Sequence, residues 1–334
     1  MRKPFLSLLA VLALGLAACA APVTAPPGDR PGPAELTSRY VITADGLALP
    51  IRSWLPDTPP GTPPKAVVLA LHGFNDYSGA FREAGPALAE AEIAVYAYDQ
   101  RGFGEAPNRG LWPGSTALKG DAAAVARLLQ AKYPETPVYL LGLSMGGAVA
   151  MTTLADWPDA AAGAVLVAPA VRGRQTMPDW QAWGLDMLAR TIPGYAATGQ
   201  GLRIRPTDNI EVLRRMARDP NVLKTARIDA LYGLVELMTE AQDSAPRQRK
   251  PLLFLYGLKD ELVPKEPTQA TLAALPQDAG HRIAVYPEGR HMLLRDLAGG
   301  RVIADIAAWL TDPTAPLPSG ADDDARDHLS AARE

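Results

Sequence analysis

Cysteine is nearly absent from this 334-residue chain: Cys19 is the only one. That excludes an intramolecular disulfide and any cysteine-built zinc or iron–sulfur site. Histidine is scarce too, with His72, His281, His291 and His328 the whole supply, so histidine chemistry has few places to sit. Neither sign of charge dominates, since 33 basic against 36 acidic residues leave −3. This argues against a nucleic-acid binder, whose surface needs excess positive charge to displace counterions. No apolar run reaches the roughly 20 residues that cross a bilayer. A P-loop is missing, and Gly102-Phe103-Gly104 fails as a dinucleotide fingerprint because Pro107 stands where the third glycine belongs. No metal cluster and no cofactor are implied, and the pattern carries no signature of a particular oligomeric state. What the chain does have is apolar residues, 48% against 21% charged. That is enough to bury a full-sized core in one large domain or two small ones.

The N-terminus carries an address. Arg2 and Lys3 precede the apolar run 5–16, and small residues follow. The run is too short for a span and reads as an export signal, residues 1–18. Leu16-Ala17-Ala18-Cys19 resembles a bacterial lipoprotein signal, in which the cysteine becomes the first mature residue and carries the lipid. The alternatives are an ordinary cleaved signal, or an uncleaved anchor with Cys19 incidental. A lipid on Cys19 implies a protein held at a membrane of the bacterial cell envelope. Ala20, where aspartate would mark inner-membrane retention, favours the outer membrane of a two-membrane cell. Within the tether segment 19–36, residues 20–33 hold five prolines and no apolar periodicity, which is expected of a polyproline-like stretch reaching about 40 Å. At the other end, residues 313–334 are proline-rich, then charged, and are expected to form a disordered, solvated tail.

Between these ends, short β-rich runs alternate with helical stretches. Strands are expected at 39–44, 47–55, 65–71, 93–98, 137–143, 163–168, 251–257 and 281–287, with helices near 80–91, 116–132, 145–156, 265–275 and 296–311. The middle strands are continuously apolar, as parallel strands covered on both faces must be. Such alternation predicts an α/β fold: a mostly parallel eight-stranded sheet flanked by helices, opening with antiparallel pairs around the Ala44-Asp45-Gly46 turn. One interval breaks the rhythm. About 80 residues separate the strand ending at Ala168 from the one starting at Pro251, far beyond an ordinary crossover. Helical patterns at 179–191, 208–218 and 226–241 make it an inserted helical cap, 171–248, on a catalytic domain formed by 37–170 and 249–312. Caps on the C-terminal ends of sheet strands cover the crevice where α/β proteins bind ligands.

Gly142-Leu143-Ser144-Met145-Gly146 matches G-x-S-x-G directly between a strand and a helix, the context in which a strained turn exposes a serine hydroxyl above the sheet. A serine needs a base, and the base needs a third group to hold it. In chain order these are an acid and then a histidine. Asp260 follows the seventh expected strand and His291 the eighth, so both reach the sheet edge that carries Ser144. Glu261 is the near rival of Asp260. His281 begins a strand at the wrong end of the sheet, and His328 lies in the tail. The oxyanion needs two preorganised N–H donors. Met145, at the start of the helix after the serine, supplies one. Phe74, in the Leu71-His72-Gly73-Phe74 loop, supplies the other, with His72 ordering that loop; a catalytic His72 is the alternative.

These segments together resemble the monoacylglycerol lipase and lysophospholipase branch of the α/β-hydrolase family, sometimes grouped as serine aminopeptidase-like hydrolases. The matching stretches are HGFNDYSGAF (72–81), YDQRGFGEAP (98–107), GLSMGG (142–147), YGLKDELVP (256–264) and EGRHMLL (288–294). The resemblance implies Ser144 as nucleophile, Asp260 and His291 as its partners, and Phe74 and Met145 as oxyanion donors. The D-x-R-G turn formed by Asp99, Arg101 and Gly102 is implied to be structural. The chain departs from the family in having Met292, where an acidic residue often follows the histidine. The expected activity is cleavage of single-chain acyl-ester lipids such as monoacylglycerols or lysophospholipids through an acyl-enzyme. A general carboxylesterase, a thioesterase, a peptidase or a carbon–carbon hydrolase on the same fold is the alternative, and a non-catalytic binding lipoprotein a third. The cap carries a further expectation. Segment 171–250 has 13 basic and 9 acidic residues, and Trp183 and Met187 belong to an apolar set at helical spacing. Either that set packs the cap down, or it lines an acyl-chain tunnel while the positive surface rests on anionic headgroups.

Overall fold

In a computed structural model of the chain, which describes residues 22–199, 204–323 and 325–330, the central apolar runs form buried strands, four of them buried at every residue. The strands are β1 (Glu35–Leu36), β2 (Tyr40–Ile42), β3 (Ala48–Trp54), β4 (Ala66–Leu71), β5 (Ile93–Tyr98), β6 (Val138–Leu143), β7 (Gly163–Val167), β8 (Ala196–Thr198), β9 (Thr225–Arg227), β10 (Leu252–Gly257) and β11 (Arg282–Tyr286). Nine of them make one sheet in the order β1-β2-β3-β5-β4-β6-β7-β10-β11. β1 to β3 pair antiparallel with one another and with β5, and every pairing from β5 to β11 is parallel. All eight expected strands are therefore present, with β1 added.

The doubly apolar strands have a simple cause. Val67, Leu69 and Leu71 of β4 point into one core, while Val68 and Ala70 point into the other. Helices α2 (Ser115–Lys132) and α3 (Met145–Asp156) cover the first face, and α1 (Ala84–Glu90) and α8 (Gly299–Thr311) cover the second. The cap contributes α4 (Asp179–Thr191), α5 (Ile210–Arg218) and α6 (Ile228–Ser244), with β8 and β9 paired antiparallel beside them. Leu237 and Ala241 of α6 are fully buried in the core that also holds Val149 of α3. The cap is thus seated on the helix that follows Ser144. Two further helices, α7 (Lys265–Ala274) and α9 (Ala325–Ser330), complete those among the described residues.

The structure corrects both terminal segments. The proline-rich stretch is no free tether from residue 23 onward. Val23 N–H donates to Asp229 Oδ2 at 3.3 Å, Ala25 N–H to Trp112 O at 2.7 Å, and Gly28 N–H to Asp45 Oδ2 at 2.8 Å. Arg30 and Gly32 bond to Asp45 O and Ala44 O, and Glu35 opens β1. Prolines at 22, 26, 27, 31 and 33 leave the alternate N–H groups to do this work, which makes the stretch a strap instead of a spacer. Segment 313–334 is likewise docked at several of its described positions. Leu317, Ala321, Ala325 and Leu329 are buried, at fourfold spacing, and Val285 N–H donates to Ala321 O at 2.7 Å. Arg282 pairs with Asp322 at 3.1 Å. Asp323 and Asp327 stay exposed on the outer side. Residues 1–21, and with them Cys19, lie outside the described residues.

Candidate active site

Ser144 sits between β6 and α3 with φ +50° and ψ −113°, a conformation a non-glycine residue rarely adopts. The turn is possible because its flanks are glycine. A Cβ on Gly142 would stand 2.3 Å from Gly146 O, and one on Gly146 only 2.0 Å from Leu71 O. The helix that begins at Met145 leaves that residue's N–H without an intrahelical acceptor and aims the positive end of its dipole at the serine.

Asp260 lies just past the C-terminal end of β10, and His291 in the loop after β11. His291 Nδ1 and Asp260 Oδ2 are 2.7 Å apart, with side chains 8% and 0% exposed. Asp260 Oδ1 accepts N–H bonds from Leu262 (2.8 Å) and Val263 (2.9 Å), so the carboxylate cannot swing away from the ring. Nδ1 being spent on Asp260, Nε2 is the nitrogen left for chemistry. Glu261 takes no part in this. Its Oε1 pairs with Arg290 at 3.2 Å and its Oε2 accepts from Arg205 N–H at 2.9 Å, at the cap margin. His281 sits at the opposite end of β11 from His291.

The loop after β4 stands against Ser144: a Cβ on Gly73 would lie 3.5 Å from Ser144 Cβ. His72 holds that loop. Its Nδ1–H donates to Gly73 O at 2.8 Å, and its Nε2 accepts the Gln100 N–H at 2.9 Å. The carbonyl and the amide dictate a neutral ring, and burial pushes its pKa below the ordinary value. The unfolded ring takes a proton near pH 6.5. The neutral-ring contribution is therefore complete above that pH and is lost as the pH falls below it. The Tm of the protein is expected to drop between pH 7.5 and pH 5, and His72→Gln to flatten part of that slope. Burial also depresses His281, which supplies a remainder. An unchanged slope in the variant would discount His72.

Ser144, His291, Gly73 and Phe74 open into one cavity of about 560 Å³ whose other walls are mostly apolar, with Asn75, Asp76, Arg172 and Arg295 as the polar exceptions, within the usual size of a small-ligand site. The cap roofs it with Met177, Leu185, Met216, Leu223, Leu231, Leu234 and Met238. Trp183 and Met187, expected among these, are elsewhere. They are 65% and 45% exposed on α4, where Trp180 and Leu188 are exposed too, as are Ile192 and Tyr195 in the turn that follows. At 100° per residue, Leu185 points opposite Trp183, and Met187 returns to the outer side. The helix is apolar on both faces, so its sequence does not say which one roofs the cavity.

A serine on a strained elbow, an Asp–His pair and a roofed apolar cavity on this sheet define an α/β-hydrolase with a serine nucleophile. The chain belongs to the serine aminopeptidase S33 family, whose profile matches residues 62–298. Among curated relatives it is similar to the human monoglyceride lipase, 27% identical over 288 residues that cover 83% of this chain and 91% of the relative. It is also similar to the monoacylglycerol lipase of Mycolicibacterium smegmatis, 23% identical with 79% and 93% covered. Among solved structures, a soluble variant of the Saccharomyces cerevisiae monoglyceride lipase with a substrate analogue superposes with a TM-score of 0.70. It is 17% identical, with 89% of this chain and all of that chain covered. The monoacylglycerol lipase of Paleococcus ferrophilus gives 0.65 at 23% identity, with 79% and 98% covered.

Proposed function

We propose that the protein hydrolyses carboxylic esters of single-chain acyl lipids, monoacylglycerols or lysophospholipids, through an acyl-enzyme. The observation that carries this reading is the placement of Ser144 and the His291–Asp260 pair on one apolar, cap-roofed cavity. The names of its relatives point the same way. Ser144 Oγ attacks the acyl carbonyl while His291 Nε2 takes its proton, and Asp260 balances the imidazolium. The N–H groups of Phe74 and Met145 hold the oxyanion. His291 returns the proton to the departing alcohol, and water, activated by the same ring, releases the acid.

A roofed cavity of this size suits one acyl chain and excludes the bulk of a triacylglycerol. Monoacylglycerols or lysophospholipids are expected to turn over faster than long triacylglycerols, measured side by side with nitrophenyl esters. Leu185→Asp, which puts a carboxylate in the roof, is expected to raise KM for long-chain substrates at least tenfold. Equal rates on long triacylglycerols would leave only a general carboxylesterase.

The cap's outer surface completes the reading. Six large apolar side chains of α4 and the turn after it face solvent, Trp180 at 72% and Trp183 at 65%, and such a patch is a surface for lipid. Among the described residues no helix is long and apolar enough to cross a membrane. The strap ends beside this patch: Val23 bonds to Asp229, whose N–H in turn donates to Pro193 O just beyond α4. A lipid on Cys19, four positions earlier, would lie within about 14 Å of the cap and hold it against an envelope membrane. Trp183→Asp is expected to leave hydrolysis of a soluble nitrophenyl ester unchanged and to slow hydrolysis of substrate in vesicles. Cys19→Ser is expected to stop lipidation and to leave the precursor unprocessed or the protein loosely held, read from its processing state and from washing with high salt. A variant that stays bound with its signal removed overturns the anchor.

A further inference from the structure

The two loops that carry the base and the oxyanion amide start far apart. In the sheet, β4 and β11 are separated by β6, β7 and β10, four strand spacings or about 19 Å. Both loops must lean inward over Ser144, at the end of β6, and the sheet itself does not fix one against the other.

A buried ion pair does. Arg295 Nη2 donates to Asp76 Oδ2 at 2.6 Å, the side chains being 7% and 12% exposed. Arg295 Nε donates to Ala80 O at 3.2 Å, and Nη1 meets the Met216 sulfur at 3.2 Å. At the Asp76 end, Oδ1 accepts the Tyr77 N–H and the Asp76 N–H closes a turn onto Gly73 O, with Phe74 inside it. Asn75 in that turn has φ +63°, and its carbonyl accepts Leu223 N–H from the cap at 2.9 Å. At the Arg295 end, its own N–H and that of Asp296 both donate to Met292 O, and Asp296 Oδ2 accepts Arg290 N–H at 2.8 Å. These bonds bracket His291. The pair is a strut between two turns, each closed around one functional group.

We infer that Asp76 and Arg295 are positioning residues that set the spacing between the Phe74 amide and His291. The inference rests on the serine-hydrolase reading of the site. A buried pair gives little stability over apolar residues of similar volume, whereas baring one partner is costly. An apolar pair could therefore replace its packing but not its forked, directional hold on Asp76 and Ala80. Misplacement by about 1 Å is enough to cost on the order of 100-fold in rate.

The test uses Arg295→Met, Asp76→Leu, the double variant and Arg295→Lys, with Tm, kcat and KM measured on a soluble nitrophenyl ester. Each single variant is expected to lose both Tm and kcat. The double variant is expected to recover Tm while its kcat stays roughly 10- to 100-fold down and its KM changes less than about threefold. Lysine, which keeps the charge but cannot fork, is expected to give an intermediate kcat at near-normal Tm. Recovery of kcat along with Tm in the double variant would make the pair merely structural. Should the double variant fail to fold, Asp76→Asn decides: an undiminished kcat there overturns the role. Labelling by a fluorophosphonate, lost with Ser144→Ala, checks the site independently. If wild-type Ser144 is not labelled, the reading of the site fails, whereas slowed labelling in a folded Arg295 variant supports the strut.

Discussion

Replacing Ser144 with alanine is expected to lower ester turnover by about 10⁴- to 10⁶-fold while leaving the protein folded. The reason lies in the elbow. The strain at φ +50° belongs to the backbone and its Cβ, which alanine shares, and the glycines that let the turn pass Leu71 O are untouched. Only the hydroxyl disappears, and no other hydroxyl stands on that turn. The variant's Tm should stay within a few degrees, and its far-UV spectrum should be unchanged. Residual activity above a few per cent, measured with a nitrophenyl ester after excluding contaminating esterases, would move the nucleophile elsewhere.

Asp260→Asn is expected to be nearly as damaging, on the order of 10⁴-fold in kcat, for a reason set by the hydrogen bonds around it. Oδ1 accepts two backbone N–H groups, from Leu262 and Val263, so an asparagine must keep its oxygen there. Its NH₂ group then faces His291 Nδ1, where the carboxylate now accepts at 2.7 Å. A donor at that position forces the ring into the tautomer with its proton on Nε2, the atom that must receive the serine proton. Charge to stabilise the imidazolium is lost as well. Glu261→Gln, by contrast, alters only a contact to Arg205 and Arg290 at the cap margin, and its kcat is expected to stay within about threefold of wild type. The opposite ranking, with Glu261→Gln severe and Asp260→Asn mild, would exchange their roles.

Much of this site was legible in the sequence because its elements are local. G-x-S-x-G needs only a strand before it and a helix after it, and Asp260 and His291 are marked by the ends of two apolar strands. The positions of eight strands along the chain follow from the same alternation. What escaped is non-local. Arg295 reads as one more charged residue after the histidine until Asp76, 219 positions away, is seen against it. Trp183 and Met187 share their helix with Leu185, and periodicity groups them without saying which face the cavity takes. The terminal segments differ from what their composition suggests for another reason. Proline and charge suggest a solvated chain, but five N–H groups between the prolines, and four small or apolar residues at fourfold spacing, suffice to dock them. Those partners, Asp45, Trp112, Asp229 and the edge of β11, are visible only in the fold.

The closing segment has a consequence for how copies of this protein meet. β11 is the last strand of the sheet and pairs only with β10, so its outer side presents free N–H and C=O groups to any extended chain that comes by. Here Ala321 O occupies Val285 N–H, the Arg282 guanidinium is drawn to Asp322, and Asp305 takes both the Ser319 N–H and the Tyr286 hydroxyl. Segment 313–323 therefore lies along this edge and occupies part of the place that a neighbouring molecule's strand would otherwise take.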